Sequence, residues 1–163
     1  MRWMPRFPRE LPILFSLILL CLLTGVLGGL ATATSVDTWY VALRKPSWTP
    51  PRAIFGPVWT LLYLMMAVAA WLVWKERNRR PVRIPMAVFL LHLAVNAAWS
   101  WIFFGWQRPD LAFFWIGFLW FWVVVTIFLF LTVRPLSAIL MLPYLLWVTL
   151  AQVLNYEIFR LNP

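Results

Sequence analysis

The sequence contains very few charged residues for its length, and acidic residues are the scarcest. Only five of its 163 residues are Asp or Glu, and charged residues of both signs make up 12%, whereas a soluble domain averages about 25%. Hydrophobic residues make up 64%. Because a soluble protein of this size leaves much of its surface in water, it could not bury so large an apolar area. The composition therefore excludes an ordinary soluble domain.

Charged residues are absent altogether from five long stretches of the chain. These are residues 11–36, 53–74, 84–107, 111–133 and 135–156. A helix rises about 1.5 Å per residue, so about 20 apolar residues cross a hydrocarbon core about 30 Å thick. No soluble linker separates the stretches. The pattern predicts a single all-α membrane domain over residues 1–163, whose five transmembrane helices span about 11–33, 54–75, 83–105, 110–132 and 135–158.

Cysteine and histidine are nearly absent, with one of each at Cys21 and His92. A single cysteine excludes an internal disulfide and a cysteine-based metal cluster. The five stretches contain no carboxylate, so we expect no metal site and no required cofactor. A lone histidine is more often packed or hydrogen-bonded than a ligand, which disfavours haem ligation by His92.

The basic residues lie at the ends of the predicted helices and indicate an orientation. The N-terminus, residues 75–83 and Arg134 hold nine of the fourteen Lys and Arg, and the opposite side holds five. Because cytoplasmic loops carry an excess of Lys and Arg, we predict a cytoplasmic N-terminus. The expected location is a bacterial cell membrane, with an outer membrane left open. The net charge of +9 does not indicate nucleic-acid binding, since the basic residues form no stripe.

The N-terminal segment also has the outline of a secretory signal peptide. Arg2, Arg6 and Arg9 precede an apolar run, and Ala31-Thr32-Ala33 resembles a small-residue cleavage site. The uncharged run is longer than the usual signal core, which favours a retained first helix.

Two of the predicted helices differ in the surface they are expected to present. In the first, Gly25 and Gly29 lie four residues apart, which favours close helix packing, within the bundle or at a dimer face. The fourth carries aromatic residues on every face, so we predict that it faces lipid widely, with Trp side chains near the interfaces.

Polar residues within the spans are few, and their positions are informative because such residues are costly in lipid. Two sets repeat every four residues and so share one helix face: His92, Asn96 and Ser100 in the third helix, and Trp147, Ala151 and Asn155 in the fifth. Both faces are predicted to turn inward, either to join helices through hydrogen bonds or to line a cavity.

The segment between the first two helices is rich in proline and aromatic residues. Pro46, Pro50 and Pro51 fix φ and push the residues before them out of the helical region. This segment is therefore predicted to be extended or turned, and its stiffness and aromatic content favour a lid over the bundle.

Five motifs follow one another along nearly the whole chain. They are Trp39-Tyr40, Lys45-Pro46-Ser47-Trp48-Thr49-Pro50-Pro51, Phe55-Gly56-Pro57-Val58-Trp59-Thr60, Asn96-Ala97-Ala98-Trp99-Ser100 and Pro143-Tyr144-Leu145-Leu146-Trp147. Together they resemble the TspO or translocator protein family, also called tryptophan-rich sensory proteins or peripheral-type benzodiazepine receptors. The resemblance implies a five-helix bundle, usually a homodimer, with a ligand cavity beneath the loop after the first helix.

The resemblance also implies ligands and site residues. Members of the family bind porphyrins such as protoporphyrin IX and haem, and other hydrophobic small molecules. In some bacterial relatives a light-dependent breakdown of porphyrin is proposed, which makes Trp59 and Trp147 candidate catalytic residues here. Trp39 and Trp48 would belong to the lid. The implied cavity residues are Tyr40, Pro50, Trp59, Asn96, Trp99, Ser100, Trp147 and Ala151.

Three further features bear on ligands and assembly. Arg44, Lys45 and Arg52 at the expected mouth are placed to meet porphyrin carboxylates. Ala87 and Leu91 stand where some relatives carry a glycine pair linked to dimer contacts, which leaves the dimer geometry open. The pattern proposed for cholesterol contact is matched by Leu154, Tyr156 and Arg160.

The leading hypothesis is a membrane receptor or sensor for tetrapyrroles and related hydrophobic ligands, with light-dependent porphyrin degradation as a secondary activity. The expected partners are porphyrin or haem, membrane lipid and a second copy of the chain, without nucleic acid. One alternative is a transporter of porphyrins or other hydrophobic molecules, although the sequence has no inverted repeat and no carboxylate at mid-membrane. Another is a structural or partner-binding membrane protein.

Overall fold

Proline marks the start of three long helices of the bundle. Pro12, Pro109 and Pro135 each occupy the first turn of a helix, where the missing N–H costs nothing and the fixed φ suits the helix. The computed structural model describes residues 10–163. Its helices are α1 (Leu11–Ala33), α2 (Trp39–Ala42), α3 (Arg52–Lys75), α4 (Arg83–Ser100), α5 (Pro109–Val133) and α6 (Pro135–Leu161).

Two short segments extend the long helices. A 3-10 turn at Glu76–Asn78 follows α3, and a π-helical turn at Trp101–Gly105 continues α4. With these extensions, five helices within residues 10–163 are long and apolar enough to cross a membrane: α1, α3, α4, α5 and α6. The predicted all-α, five-helix membrane fold is confirmed, and the observed bounds lie within a few residues of the predicted spans. The protein is an integral, multi-pass membrane protein.

The five long helices close into a ring. Helix α1 packs against α3 and α4, α3 packs against α6, α6 against α5, and α5 against α4. A ring of five helices leaves a central space, and the side chains of each helix decide how well that space is filled.

The half of the ring farther from the loop between α1 and α3 is filled tightly. Ala67 and Ala70 of α3 are completely buried there and let the neighbouring helices approach closely. Phe89 of α4 and Phe130 of α5 are also completely buried, and their rings stack with centroids 5.8 Å apart. This half forms the solid core of the bundle.

The charged side chains pair at the two ends of the ring. At one end, Arg134 donates to Glu76 at 2.8 Å, and at the other Arg52 donates to Asp37 at 2.9 Å. The observed separation agrees with the charge-free spans of the sequence. The predicted orientation also counted Arg2, Arg6 and Arg9, which lie outside the described residues, as does the basic start of the alternative signal peptide.

The contrast predicted between the first and fourth spans is wrong in one respect, because α1 is the more exposed of the two helices. In the most hydrophobic window of each span, 17% of residues are buried for α1 and 33% for α5. Helix α5 does present large rings outward, such as Phe114 and Phe128, yet it buries one stripe between α4 and α6. That stripe is Ala112, Ile116, Leu119, Val123, Thr126, Phe130 and Val133.

Candidate functional site

A cavity of about 790 Å³ occupies the half of the ring beneath the loop between α1 and α3. Its walls come from all five spanning helices, and Tyr40 of α2 contributes from the loop. The volume falls within the roughly 300–1,000 Å³ that is usual for small-molecule sites.

Aromatic rings form two walls of the cavity. On the α3–α6 side, Phe55 meets Trp147 edge to face with ring centroids 5.7 Å apart. On the α4 side, Trp99 stacks on Phe103 at 5.2 Å, and Phe104 packs at 4.8 Å from Phe103. Contacts between these rings fix their orientation, so the walls are formed before any ligand arrives.

The π-helical turn produces the aromatic wall on the α4 side. Within it, the backbone N–H of Trp106 donates to the carbonyl of Trp101 at 2.8 Å, five residues back. The hydroxyl of Ser35, just after α1, donates to the carbonyl of Phe104 at 2.8 Å. Turns of this kind are rare and often lie at functional sites. Here the turn brings Phe103 and Phe104 into the cavity wall.

The lower end of the cavity is lined by Tyr63 and Asn96, which belong to a hydrogen-bonded set of three side chains from three helices. The hydroxyl of Tyr63 donates to Asn96 Oδ1 at 2.9 Å, and Asn96 Nδ2 donates to the Tyr144 hydroxyl oxygen at 2.7 Å. Trp59 stacks on Tyr63, with centroids 5.5 Å apart. Asn96 thus both joins helices through hydrogen bonds and lines the cavity. The sequence had left these two roles as alternatives, and the structure shows both.

Asn155 makes a second junction between helices at the cavity. Its Oδ1 accepts a hydrogen bond from Trp99 Nε1 at 3.1 Å, and its Nδ2 donates to the carbonyl of Pro109 at 2.8 Å. These two bonds connect α4, α5 and α6 beside the aromatic wall. Since lipid offers no other partners to an amide, they also hold Asn155 facing inward.

Tyr40 covers the cavity from the loop side and is itself buried. The ammonium of Lys45 donates to the carbonyls of Tyr40 at 2.6 Å and Leu43 at 2.7 Å, and it lies 4.7 Å from the centre of the Tyr40 ring. Burial raises the pKa of the Tyr40 hydroxyl, against a smaller opposing effect of Arg52. Burial lowers the pKa of Lys45, and the nearby charge of Arg52 lowers it further.

Arg52 supplies the positive charge of the cavity wall. Its guanidinium donates to Asp37 Oδ1 at 2.9 Å and to the carbonyl of Val36 at 2.8 Å, and Arg52 also lines the cavity. The sequence predicted Arg44 and Lys45 at the same mouth. However, the Lys45 ammonium is bound to carbonyls of the loop, and the backbone of Arg44 pairs with Asn162.

Comparison with known proteins agrees with this arrangement. The model of the TspO/MBR family matches residues 17–161. The chain belongs to the TspO/MBR family. Membership supports a membrane sensor or receptor role.

Similar curated proteins come from bacteria, archaea and animals. Tryptophan-rich protein TspO of Chlorobaculum tepidum is 38% identical over 148 residues, 88% of this chain and 92% of the relative. Tryptophan-rich protein TspO of Archaeoglobus fulgidus is 38% identical over 145 residues, 89% of this chain and 94% of the relative. The human Translocator protein is 37% identical over 126 residues, 76% of this chain and 75% of the relative.

Most of the residues that the TspO/MBR resemblance assigns to a ligand site meet in this one cavity. Pro50 lies outside the lining set, between a turn and the start of α3, and Trp39 packs behind the wall, 5.6 Å from Phe103. Trp48 is 45% exposed and also lies outside the lining set. Their roles toward a ligand stay predictions. The predicted residues that do line the cavity are Tyr40, Trp59, Asn96, Trp99, Ser100, Trp147 and Ala151.

Sequence reasoning missed the contribution of α1 to the site. A Cβ atom on Gly25 would lie 2.7 Å from Tyr63 Cε2, and one on Gly28 would lie 3.0 Å from Ser100 Oγ. These are the glycines of closest approach. Of the predicted packing pair, only Gly25 packs within the bundle, because a Cβ on Gly29 would meet no described atom beyond the adjacent turns of its own helix within 4 Å; the alternative of a dimer face stays a prediction. Gly29 lines the cavity instead.

The residues of the sterol-like pattern are not brought together at the cavity, and His92 does not join Asn96 and Ser100 in its lining. Leu154 lines the cavity, whereas Tyr156 is exposed and packs on Phe113, and Arg160 pairs with Glu157 at 2.7 Å. The residues of the sterol-like pattern therefore do not share one surface. His92 is completely buried outside the lining set, 5.7 Å from the ring of Tyr144.

Proposed function

We propose that this protein is a membrane receptor or sensor that binds tetrapyrroles, such as protoporphyrin IX and haem, in the cavity beneath the loop. The observation that carries the proposal is an aromatic-walled space of about 790 Å³ with the guanidinium of Arg52 at its rim. A tetrapyrrole is a broad aromatic ring with carboxylate arms. Each ring pair adds about 0.5–1.5 kcal/mol beyond burial, and guanidinium–carboxylate pairs add directional, charge-assisted bonds.

The position of His92 bears on how haem would be held. The imidazole lies outside the lining set, behind Tyr144, and so does not reach a ligand in the cavity. We therefore expect metal-free protoporphyrin IX and haem to use the same ring stacking and carboxylate contacts. Substituting His92 by Phe should leave the ratio of the two affinities unchanged, which parallel titrations of both ligands measure.

Ligand titration tests the proposed function directly. Protoporphyrin IX added to the protein in lipid nanodiscs should quench tryptophan fluorescence saturably at micromolar concentration or below, since several Trp side chains line the cavity. Empty nanodiscs and free tryptophan give the non-specific quenching. If no saturable component is found in lipid or in several detergents, the proposal fails.

Light-dependent porphyrin breakdown is a second part of the proposal. Trp59 and Trp147 both line the cavity, and an indole beside a photoexcited porphyrin ring is able to give up an electron. Under illumination, Trp147→Phe should slow the loss of porphyrin absorbance, while samples kept in the dark stay constant. An unchanged rate in the variant would remove Trp147 from the reaction.

The structural alternative predicts a different pattern of defects. If the cavity were only a packing feature, Trp59→Ala and Asn96→Ala would lower the melting temperature without a selective loss of ligand affinity. Under the receptor proposal, Trp59→Ala weakens protoporphyrin IX binding in protein that remains folded at the assay temperature. The transport alternative is separated by counterflow of porphyrin in proteoliposomes, which a receptor does not catalyse.

Orientation and assembly complete the proposal. We propose a cytoplasmic N-terminus in a bacterial cell membrane, as the nine-to-five distribution of basic residues favours. We also propose a homodimer, for which the exposed faces of Ala87, Leu91 and Ala94 on α4 offer a stripe of small and apolar residues. Accessibility of an N-terminal tag in intact cells tests the first, and crosslinking of Ala87→Cys tests the second.

A further inference from the structure

Several independent contacts hold the loop in place at its end of the cavity. Asn162, after α6, pairs with Arg44 in both directions: its Oδ1 accepts from the Arg44 N–H at 3.0 Å, and its Nδ2 donates to the Arg44 carbonyl at 2.9 Å. Lys45 binds the carbonyls of Tyr40 and Leu43 within the loop. Tyr40 packs into a buried apolar cluster with Phe103 and neighbouring residues. A ligand arriving from water at this end would have to break these contacts.

The side of the cavity between α1 and α3 is different, because close contacts are found at two levels and exposed, cavity-lining residues lie between them. At the lower level, Gly25 approaches the ring of Tyr63 so closely that a Cβ would lie 2.7 Å from it. At the upper level, Arg52 reaches the carbonyl of Val36 at 2.8 Å. Val36 follows the end of α1 at Ala33, and the eight residues from Gly25 to Ala33 alone cover about 12 Å along the helix.

Between these two levels lies an opening, which we call the α1–α3 window. Its rim is defined by Val26, Gly29 and Ala33 of α1 and by Gly56 and Thr60 of α3, all of which are exposed and line the cavity. A Cβ atom on Gly29 or on Gly56 would meet no described atom within 4 Å beyond the adjacent turns of its own helix. The gap therefore has room on both of its sides.

The rim of the window is compatible with lipid. The Thr60 hydroxyl donates to the carbonyl of Gly56 at 2.9 Å, and the nearby Thr32 hydroxyl donates to Gly28 at 3.0 Å. Both hydroxyl protons are thus bound within their own helices, which removes the cost of presenting an unpaired donor to hydrocarbon. The remaining rim side chains are small or apolar.

We propose that the α1–α3 window is the route by which hydrophobic ligands exchange between the cavity and the hydrocarbon of the bilayer. The loop stays closed during exchange. Arg52 stands at the upper edge of the window, where the carboxylates of an amphipathic ligand reach it from the headgroup region while the apolar ring enters from the acyl chains. The identity of that ligand as a tetrapyrrole rests on the proposed function, whereas the route does not.

Stopped-flow kinetics test the route. Protoporphyrin IX is mixed with the protein in nanodiscs, and association and dissociation are followed by tryptophan quenching. Gly29→Phe and Gly56→Phe place a ring in the gap, so both rate constants should fall by about tenfold, equivalent to about 1.4 kcal/mol in the barrier. Leu30→Phe is the matched control, because Leu30 is a neighbouring, 57% exposed residue outside the cavity lining.

Asn162→Ala tests the opposite route by freeing the loop. If ligands pass through the window, this variant associates at the rate of the unaltered protein. Faster association of Asn162→Ala, or unchanged rates in both glycine variants, would overturn the proposal. A faster dissociation alone in the glycine variants would also overturn it, because that result marks a lost binding contact rather than a blocked route.

A measurement without porphyrin separates failure of the route from failure of the proposed function. A second measurement uses unaltered protein, so that it does not depend on whether the variants fold. The rate at which lipid-soluble N-phenylmaleimide labels Ala151→Cys, a position in the cavity lining, should fall when Gly29→Phe is added, with the buried Cys21 giving the background. In unaltered protein, protoporphyrin IX association should follow its mole fraction in the nanodisc lipid. A rate that follows only the aqueous concentration contradicts the window.

Discussion

Helix α3 has two halves with very different surroundings. From residue 52 to residue 61 every residue is at least partly exposed, and this half borders the cavity through Phe55, Gly56 and Trp59. From Leu62 onward eight residues are buried, and Ala67 and Ala70 are completely so. One helix therefore contributes both to the open cavity and to the solid core.

The difference between the two halves comes from side-chain size and from the partners across the ring. Alanines in the second half belong to one buried cluster with Phe89, Phe130 and Met141 of the neighbouring helices, and little space remains. In the first half the large rings belong to α3 itself, and they contact other rings at the cavity margin, as Phe55 does with Trp147. Small residues close the bundle where the opposing residues are large, and they leave it open at Gly29 and Gly56, where no side chain fills the gap.

The largest expected effect is the loss of a ring from the packed half. Phe89→Ala should destabilise the protein by about 3–5 kcal/mol, since the completely buried ring stacks on Phe130 and its removal leaves a cavity. Phe55→Ala, in the open half, should cost far less, because it only enlarges a space that already exists. Unfolding titrations in detergent measure both. Equal losses would contradict the contrast between the halves.

A matched pair of leucine substitutions comes next. Ala70→Leu should cost about 1–3 kcal/mol through overpacking, because Ala70 has no exposed surface. Gly56→Leu should be neutral or stabilise by up to about 1 kcal/mol, since Leu has the higher helix propensity and a Cβ there meets none of the described atoms within 4 Å. Melting temperatures of the two variants provide the comparison. A loss of stability in Gly56→Leu would mean that other atoms already fill the space beside Gly56.

Tryptophans of the two halves separate binding from packing. Trp59→Phe should weaken protoporphyrin IX binding by about two- to tenfold, equivalent to about 0.5–1.5 kcal/mol of ring contact. Trp71 lies in the packed half and donates to the carbonyl of Glu10 at 3.1 Å, so Trp71→Phe should leave the affinity unchanged. Fluorescence titration measures both, and equal affinity losses would show that the effect is not local to the cavity.

The smallest expected effect is on an ion pair at the open end. Arg52 and Asp37 have side chains that are 48% and 85% exposed, so Asp37→Asn should change the free energy of unfolding by less than about 1 kcal/mol. At the packed end, Glu76 is only 18% exposed beside Arg134, and Glu76→Gln should cost more. Unfolding at low and high salt checks the ranking, and only the Asp37 effect should vanish with salt.

Much of the fold could be predicted from the sequence, because lipid imposes strong constraints on sequence. The charge-free spans matched the helices, and the inward positions of Asn96 and Asn155 followed from the cost of an unpaired amide in lipid. The buried stripe of α5 could not be predicted from the sequence, since nearly every position of that helix is apolar and no periodic pattern separates its buried face from its exposed face. Among the cavity residues, Gly29 was not predicted, because a small residue permits either contact or empty space, and only the neighbouring helix decides which.

The π-helical turn at Trp101–Gly105 makes the length of α4 as important as its composition. A π turn holds about one residue more than an α turn, and each residue of a regular helix advances the chain by about 100°. Deleting one residue from this turn would restore a regular helix and rotate Phe103 and Phe104 relative to Trp99. An insertion or deletion of a single codon here would therefore rebuild an entire wall of the site without changing the identity of any ring in it.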